Sequence, residues 1–420
     1  MRPLQGLIAI MFIILLLLSP VSVFAEESVQ PAGEQQTMQP AEQLPDMPNS
    51  ESAILIDAKS GAVLFAKNES ERLYPASITK IVTGIIALEQ SDPSDMVTVS
   101  KNARGEDGTR IYLAEGEQKP MLDLIEGMLI NSGNDAATAI AEHIDGTKEQ
   151  FAVRMNEFVR KLGTWDTNFV NPSGLPDENQ YTTARDMAKI AQYAMQNDQF
   201  RQVVSTQSKP WVGEEWVSKL ENHNKLLSSY EGAIGVKNGF TQAAGYTLVS
   251  AAERGDMELI GVVLKGATDA GVYKDMTQLL DYGFAHFTSS LYMEADEKRS
   301  FVSRDTGKSM EFTADRPFWV TIKDGVVPDV AVDSNGRAFV QGSEIYNPSE
   351  TAAALVPIVP LAEQAEVQIA SVTKSNPLHE TSKSSGWSVG VTIAWSVMLL
   401  FMLLSARIIY VRQRRRKFYK

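Results

Sequence analysis

The sequence predicts an α/β protein in which a larger mixed region is followed by a smaller all-β region. Over residues 50–290, apolar clusters alternate with turn signals, and they include both strand-turn-strand patterns and a helical period. Over residues 291–362, short β-prone runs are separated by tight turns such as Asn335-Gly336, without a helical period. We therefore expect one α/β domain at 50–290 and a small all-β domain at 291–362.

Composition narrows the classes of function. The chain has 420 residues, of which 44% are hydrophobic and 22% are charged, as in globular proteins. Its 39 Lys and Arg residues against 52 Asp and Glu residues give a net charge of −13, which disfavours a nucleic-acid partner. The chain has no cysteine and only four histidines. Thiol catalysis, disulfides and thiolate metal sites are thereby excluded, and a multi-histidine metal centre has few possible ligands.

The N-terminus has the pattern of a secretory signal peptide. An apolar run at 7–18 follows a short cationic start, and Val23 and Ala25 precede a suitable cleavage point. We expect residues 1–25 to be a signal peptide, and the alternative is an uncleaved membrane anchor, for which the apolar run is short. Residues 26–49 are rich in Pro, Gln and Glu and are expected to form a disordered spacer.

The C-terminus predicts a single transmembrane helix. Residues 387–406 carry no charge over about the length that crosses a bilayer, and they lack the polar face of an amphipathic surface helix. Residues 407–420 form a basic tail without an acid. Because cationic flanks stay in the cytoplasm, we expect the bulk of the chain on the extracytoplasmic side of the cell membrane. Residues 363–386 have a Ser, Lys and Glu composition that is typical of a stalk.

The α/β region begins with a predicted hairpin and a predicted helix. Two apolar runs at 53–57 and 62–66 are joined by a short turn sequence, which is a hairpin signal. Pro75 then suits the first position of a helix, and the apolar residues after it repeat with helical spacing. Ser77 and Lys80 are therefore expected three residues apart on one face of the first turn.

The Ser-x-x-Lys spacing has a chemical consequence. A serine hydroxyl becomes a nucleophile when a base removes its proton, and a neutral amine within about 3 Å can act as that base. Burial and nearby cations favour the neutral form of a lysine. The helix N-terminus also directs free backbone N–H groups towards a developing oxyanion. Alone, however, this pattern is common, and a capping serine with a solvated lysine explains it more simply.

Two later segments carry further polar candidates. Ser132 and Asn134 lie on a short connection between two predicted helices, where side chains can point into a cleft, although a turn with a helix cap explains them as well. Lys237 lies on a predicted edge strand at 235–241, which pairs with a second strand at 245–252. A glycine near this lysine lets a ligand backbone approach while the ammonium meets an anion, but an ordinary solvated lysine fits the pattern too.

In the order Ser-x-x-Lys, Ser-x-Asn and Lys-x-Gly, the three segments resemble those of the penicillin-binding and serine β-lactamase superfamily. Within it, the sequence is most similar to the low-molecular-mass D-alanyl-D-alanine carboxypeptidases of peptidase family S11, over about residues 50–290. The segments that carry the resemblance are Tyr74-Pro-Ala-Ser-Ile-Thr-Lys80, Leu129-Ile-Asn-Ser-Gly-Asn-Asp-Ala-Ala137, Asn171-Pro-Ser-Gly-Leu-Pro-Asp177, Tyr181-Thr-Thr-Ala-Arg-Asp-Met-Ala188 and Asn222-His-Asn-Lys-Leu-Leu227. A small β domain and a C-terminal membrane anchor also fit this family.

The resemblance implies an antiparallel sheet flanked by helices, with a helical subdomain. The catalytic residues that it implies are Ser77, Lys80, Ser132 and Asn134. The substrate-binding residues that it implies are Lys237, Asn238, Gly239, Phe240 and Thr241. It implies neither a metal nor another cofactor.

In the implied reaction, Ser77 attacks the bond between the two D-alanines of a peptidoglycan stem pentapeptide while Lys80 accepts its proton. Ser132 relays a proton to the leaving amine, and Asn134 orients Lys80 and the substrate amide. Lys237 pairs with the terminal carboxylate of the substrate. β-Lactams would act as inhibitors by leaving a slowly hydrolysed ester on Ser77.

One residue departs from the family pattern, because Asn238 stands where the family usually has Thr in Lys-Thr-Gly. The asparagine amide can donate hydrogen bonds, but from a longer side chain. Two alternatives therefore remain open. One is a catalytically impaired wall-binding protein. The other is a class A-like β-lactamase, which typically has Ser-Asp-Asn where this chain has Ser132-Gly133-Asn134, and which rarely has a second domain or a membrane anchor.

Overall fold

A computed structural model describes residues 44–341 and 355–357 of the chain. The α-helices of this described part are α1 Lys80–Gln90, α2 Lys101–Arg104, α3 Met121–Ile130, α4 Asn134–Asp145, α5 Lys148–Lys161, α6 Ala184–Ala194, α7 Asp198–Ser205, α8 Leu226–Ser229 and α9 Asp269–His286. Its strands are β1 Ser50–Asp57, β2 Val63–Lys67, β3 Met96–Thr98, β4 Gln118–Pro120, β5 Ser208–Val212, β6 Val217–Glu221, β7 Ala233–Thr241, β8 Gly245–Arg254, β9 Met257–Gly266, β10 Phe287–Met293, β11 Lys298–Val302, β12 Ser309–Ala314, β13 Phe318–Lys323, β14 Asp329–Val332, β15 Ala338–Gln341 and β16 Leu355–Pro357.

The central element is a five-stranded antiparallel sheet with the strand order β2-β1-β9-β8-β7. Successive side chains of its inner strands point in turn into two different apolar cores, as the two-residue period of a strand requires. On β1, for example, Ile54 belongs to the core formed with α1 and α3–α7, whereas Leu55 belongs to the core formed with α9. Helices therefore cover both faces of the sheet, and the predicted α/β class is confirmed.

The elements that carry the candidate residues lie where the sequence predicts them, with one local difference. The predicted hairpins are β1-β2 and β7-β8, and β7 is an edge strand of the central sheet. The helices α3 and α4 are separated by residues 131–133 only. Ser77, however, lies in a 3₁₀ turn, Ala76–Thr79, that precedes α1, rather than in the first turn of the α-helix itself.

The last residues of the expected spacer, 44–49, belong to the described part of the chain. Met47 is only 2% exposed and belongs to the core on the α9 face of the sheet. The Asn49 side chain donates to Asp275 Oδ1 on α9 at 2.8 Å. Met47 and Asn49 are therefore packed against the α9 face, through partners that composition cannot show. The rest of the expected spacer and the expected signal peptide lie outside the described residues.

The region after α9 is built from strands alone in its described part. The pairings are β10 with β13, β11 with β12 and β16, and β14 with β15. Its apolar side chains, such as Phe312 and Val320, join the same core as α9. Asp57, at the end of β1, accepts hydrogen bonds from Thr321 Oγ1 at 2.7 Å and Ser289 Oγ at 2.9 Å. These bonds fasten the β region to the central sheet.

The expected stalk at 363–386, the expected transmembrane helix at 387–406 and the expected basic tail at 407–420 lie outside the described residues. Within 44–341 and 355–357, no helix combines the length and the apolar character that a membrane crossing needs. The membrane anchor therefore stays a prediction from the sequence.

Candidate active site

Ser77 is held in a strained turn. Ala76, which precedes it, has a φ of +51°, a left-handed conformation that costs a non-glycine residue about 1–2 kcal/mol. The buried hydroxyl of Thr247, on β8, donates to the Pro75 carbonyl at 3.0 Å. This bond ties the turn to the central sheet, so the position of the serine is set by tertiary contacts rather than by the helix alone.

Lys80, the first residue of α1, is fully buried and directed at Ser77. Its Nζ lies 3.0 Å from Ser77 Oγ, 2.7 Å from Asn134 Oδ1 and 2.7 Å from the Ser173 carbonyl oxygen. The latter two oxygens can only accept hydrogen bonds. A neutral amine therefore donates its two N–H groups to them and keeps its lone pair for the Ser77 hydroxyl.

The protonation of Lys80 is set mainly by burial. Burial, and secondly the charge of Lys237, lower the pKa of Lys80 well below its usual value. None of its three hydrogen-bond partners is a carboxylate that would reverse this effect. The structure thus supplies both the geometry and the electrostatics of a general base.

Asn134 and its neighbour fix the second segment of the site. The Asn134 Nδ2 donates to the Asp107 carbonyl at 2.6 Å, which leaves Oδ1 for Lys80. The buried carboxylate of Asp135 accepts the backbone N–H groups of Ile111 and Leu113, each at 3.1 Å. Burial raises the pKa of Asp135. This carboxylate holds the loop before α3 against the start of α4.

Ser132 lies in the connection between α3 and α4, as the sequence predicts. It is 5% exposed and has a φ of +65°. Its hydroxyl makes no hydrogen bond within the part of the chain that the structure describes, and it is not joined to the network of Ser77, Lys80 and Asn134. The relay of a proton by Ser132 therefore stays a prediction.

Lys237 is buried, unlike the solvated strand lysine that its sequence also permits. It is 2% exposed on β7, and burial lowers its pKa to about 7. Its Nζ donates to the Asn238 carbonyl at 2.9 Å and to Asn238 Oδ1 at 3.3 Å. The residue that departs from the family pattern therefore contacts the ammonium group that is expected to bind the substrate.

Gly239 allows β7 to pass directly against the nucleophile. A Cβ at this position would lie 2.6 Å from the Ser77 backbone nitrogen and 2.7 Å from Thr247 Oγ1, so no other residue fits without a shift of the backbone. The next residue, Phe240, is half exposed, and its ring centroid lies 4.5 Å from that of Tyr246. Phe240 is therefore the residue of β7 that comes directly after the point where this strand passes closest to Ser77.

Thr241, the last residue of β7, has a local role in the structure. Its Oγ1 accepts the backbone N–H of Ala244 at 3.0 Å and so closes the turn of the β7-β8 hairpin. Within the described residues, the Thr241 hydroxyl therefore contacts the hairpin turn and not the network of Ser77 and Lys80.

Three further residues belong to the site but were not among the candidates. The Ser173 carbonyl binds Lys80, and a Cβ on Gly174 would lie 1.9 Å from the Ala76 carbonyl oxygen. His223 is mostly buried, and burial followed by the charges of Lys237 and Lys80 lowers its pKa to about 4. The segment Asn171-Pro-Ser-Gly174 is typical of a turn, but no sequence pattern indicates that this loop contacts the nucleophile.

The arrangement is suited to acyl transfer by a serine nucleophile. It combines a hydroxyl, a buried amine of lowered pKa and, beside the strand, backbone amides that can meet an oxyanion. Among residues 44–341 and 355–357, no group of three or more His, Asp or Glu side chains is placed to hold a metal ion.

Comparisons with known proteins agree with this chemistry. The family model for D-alanyl-D-alanine carboxypeptidases matches residues 36–268. The chain is 34% identical over 285 residues to the D-alanyl-D-alanine carboxypeptidase DacF of Bacillus subtilis, which covers 66% of this chain and 73% of that protein. It is 36% identical over 266 residues to the D-alanyl-D-alanine carboxypeptidase DacA of Haemophilus influenzae, covering 61% of this chain and 67% of that protein.

Solved structures with the same fold include a penicillin-binding protein and a DD-transpeptidase. Penicillin-binding protein 5 from Haemophilus influenzae aligns with a TM-score of 0.65 at 31% identity, over 76% of this chain and 98% of that chain. The Streptomyces K15 DD-transpeptidase aligns with a TM-score of 0.55 at 32% identity, over 58% and 100%. The expected penicillin-binding fold is confirmed. The chain is a member of the D-alanyl-D-alanine carboxypeptidase family, the serine peptidases of family S11.

Proposed function

We propose that this protein removes the C-terminal D-alanine from peptidoglycan stem pentapeptides through an acyl-enzyme on Ser77. The observation that carries the proposal is the 3.0 Å distance between Lys80 Nζ and Ser77 Oγ, together with the lowered pKa of that lysine. The names of its relatives support the choice of substrate, since DacF and DacA are both D-alanyl-D-alanine carboxypeptidases.

Acylation begins when Ser77 gives its proton to the lone pair of Lys80 and Oγ attacks the carbonyl carbon between the two D-alanines. The backbone N–H groups of Ser77 and Phe240 stabilise the oxyanion that forms. The close approach of β7 at Gly239 to the Ser77 backbone nitrogen supports this assignment, because Phe240 is the next residue along that strand.

Substrate orientation depends on Lys237. Its ammonium pairs with the free carboxylate of the terminal D-alanine, which restricts cleavage to the last peptide bond. Ser132, whose hydroxyl makes no other hydrogen bond in the described part of the chain, passes the proton that Lys80 took from Ser77 to the departing amine. Water then gives a proton to Lys80 and attacks the ester carbonyl on Ser77; Lys80 returns that proton to Ser77 Oγ, and the shortened peptide leaves with the oxygen of the water in its new carboxylate.

β-Lactams fit the same scheme as inhibitors. Their ring carbonyl takes the place of the scissile carbonyl, and opening of the ring leaves the former ring amine attached to the acyl group, so that no leaving group departs. The proposed location follows from the sequence: residues 1–25 direct export, residues 387–406 anchor the chain in the cell membrane, and residues 407–420 stay in the cytoplasm. The active site then faces the cell wall.

The test measures D-alanine release from a pentapeptide that ends in D-Ala-D-Ala, using the full-length protein. We expect Ser77→Ala to lower kcat by at least about 10⁴-fold, because the nucleophile is lost. The exposed Ser70→Ala, seven residues earlier, is the matched control and retains wild-type release. Penicillin hydrolysis without D-alanine release would favour the β-lactamase alternative. Failure on both substrates would favour a wall-binding protein without activity.

A further inference from the structure

The orientation of the Asn134 amide is set by the loop at residues 105–113, which follows α2. The Asp107 carbonyl of this loop accepts from Asn134 Nδ2 at 2.6 Å, and the Thr109 carbonyl accepts from the Asn134 backbone N–H at 2.7 Å. Because a carbonyl oxygen cannot donate, the end of the amide that faces Asp107 must be Nδ2. Oδ1 is thereby left to face Lys80, which it contacts at 2.7 Å. The position of this loop therefore decides which atom of Asn134 meets Lys80.

Glu106 holds the loop in place directly beside Asp107. Its carboxylate accepts from the hydroxyl of Thr138, on α4, at 2.6 Å and from Lys148 Nζ, at the start of α5, at 2.8 Å. Thr138 is fully buried, and the Glu106 side chain is only 9% exposed. Thr138 follows Asn134 by about one turn of α4, so the two residues lie on the same face of that helix. Glu106 thus ties the loop to the helix face that carries Asn134.

The other attachments of the loop lie further along the chain from Asp107 or are exposed. Asp135 binds the far end of the loop, after residue 110. Arg104, before the loop, pairs with Glu215 at 2.9 Å, but both side chains are close to half exposed, and such ion pairs contribute little. Glu106 is therefore the attachment that is both shielded from solvent and adjacent to Asp107.

The charge of Glu106 also acts on Lys80. Burial and the charge of Lys237, on β7, lower the pKa of Lys80, whereas the charges of Asp135, on α4, and of Glu106 raise it. His223 is neutral near pH 7, because burial lowers its pKa to about 4. Removal of the Glu106 charge should therefore lower the pKa of Lys80 further.

We propose that Glu106 is a positioning residue of the active site, because it keeps Asn134 Oδ1, rather than Nδ2, on Lys80. It acts through the carbonyl of Asp107, which it holds against the amide. With Oδ1 as the acceptor, Lys80 donates an N–H to Asn134 and directs its lone pair at Ser77. With Nδ2 in that place, the amide would take the lone pair. This inference rests on the proposed function, in which Lys80 is the base, and adds a residue that acts on that base through others.

The test measures the pH profile of kcat/KM for D-alanine release from the D-Ala-D-Ala pentapeptide, with full-length variants. Thr138→Val removes the hydrogen bond to Glu106 but keeps the charge. It should lower the maximal kcat/KM about three- to tenfold, the scale of one hydrogen bond. Thr138→Ser keeps the hydroxyl and should retain the wild-type maximum. Glu106→Gln keeps an acceptor oxygen but removes the charge. Because Lys80 acts when neutral, the fall of kcat/KM on the acidic side should move to lower pH by up to about one unit.

The matched control is Glu142→Gln. Glu142 also lies on α4 and ties α2 to it by accepting from Asn102 Nδ2 at 3.2 Å, but it lies about two turns away from Asn134. This variant should keep the wild-type maximum and the wild-type acidic side of the profile. Chemical denaturation of each variant measures the loss of stability separately.

The outcomes separate the two proposals. A wild-type maximum in Thr138→Val, or a wild-type acidic side in Glu106→Gln, overturns the inference, because Glu106 would then only stabilise the fold. Continued release of D-alanine in that case still supports the carboxypeptidase function. Absence of D-alanine release by the wild-type protein overturns that function and the inference together.

Discussion

The α/β region and the β region that follows it differ in what they bury. Among the described residues, every buried charged side chain lies in the α/β region, before Phe287: Asp57, Lys80, Glu117, Asp135, Asp186, Lys237, Glu258 and Asp275. The buried polar residues of the β region are only Ser303 and Thr321, again within the described part. Burial of a charge is unfavourable unless it is compensated by hydrogen bonds or used in function. The comparison therefore locates the chemistry in the α/β region.

The buried charges of the α/β region are themselves of two kinds. Carboxylates such as Asp135 accept backbone N–H groups and hold loops in place. The two lysines, Lys80 and Lys237, have neutral oxygens as hydrogen-bond partners and lowered pKa values. In this protein, a buried lysine without a carboxylate partner marks the candidate active site, whereas a buried charge in general does not.

The largest effect is expected from a core substitution in the β region, which should lower stability without changing the chemistry of the α/β region. Phe312 is 0% exposed and lies edge-on to Phe301, with ring centroids 6.0 Å apart. We expect Phe312→Ala to lower the free energy of unfolding of the β region by about 3–5 kcal/mol, because a large cavity is left. D-Alanine release from a soluble peptide should stay at the wild-type rate. Chemical denaturation and the release assay measure the two effects.

The matched control is Val302→Ala, since Val302 is 67% exposed on β11 and should change stability by less than about 0.5 kcal/mol. A large loss of peptide turnover in Phe312→Ala under conditions where the α/β region stays folded would show that the two regions are coupled, and would break the comparison.

A smaller effect is expected in the pH dependence of peptide turnover. It arises in the α/β region, because both buried lysines lie there. Lys237 binds a carboxylate only when protonated, and burial has lowered its pKa from 10.5 to about 7. The protonated form is therefore present below pH 7 and is lost as the pH rises through 7. Above that pH, kcat/KM for a carboxylate-terminated peptide should fall by up to about tenfold per pH unit, relative to the same peptide with a C-terminal amide.

The amide peptide is the internal control for this profile, because Lys80 acts on both peptides and cancels in the ratio of their kcat/KM values. A ratio that stays constant between pH 6 and pH 9 would contradict the assignment of Lys237 to the substrate carboxylate.

The smallest effect is expected at Asn238, where the chain departs from its family. Its Oδ1 accepts from the Lys237 ammonium at 3.3 Å and so competes with a substrate carboxylate for that donor. We expect Asn238→Thr to lower KM by about two- to fivefold with little change in kcat, on the scale of one hydrogen bond. Asn238→Ala separates loss of the amide from gain of the hydroxyl. A higher KM in Asn238→Thr would show that the amide itself assists binding.

Local sequence patterns were sufficient for much of the site. The Pro75 signal and the apolar period after it placed Ser77 and Lys80 one turn apart, and the strand pattern placed Lys237 on an edge strand. These predictions succeeded because each depends on residues close together in the chain. The 3₁₀ geometry around Ser77 was not predicted, since it depends on tertiary contacts that hold Ala76 in a left-handed conformation.

Contacts between distant segments could not be read from the sequence. The Ser173 carbonyl that binds Lys80 comes from a loop 93 residues away along the chain. The burial of Lys237 depends on how the sheet packs against the helices, whereas an edge-strand lysine is usually solvated. Met47 likewise lies in a stretch of spacer-like composition, and only its packing against the α9 face shows that it is ordered.

The central claim is that Lys80 activates Ser77, and acylation by penicillin tests it most directly. Mass spectrometry of the full-length protein after exposure to penicillin should show one adduct per chain, on the peptide that contains Ser77. The adduct should be absent in Ser77→Ala. In Lys80→Met it should form about 10²- to 10⁴-fold more slowly, the contribution of a general base. An adduct on a different residue, or wild-type acylation in Lys80→Met, would contradict the account.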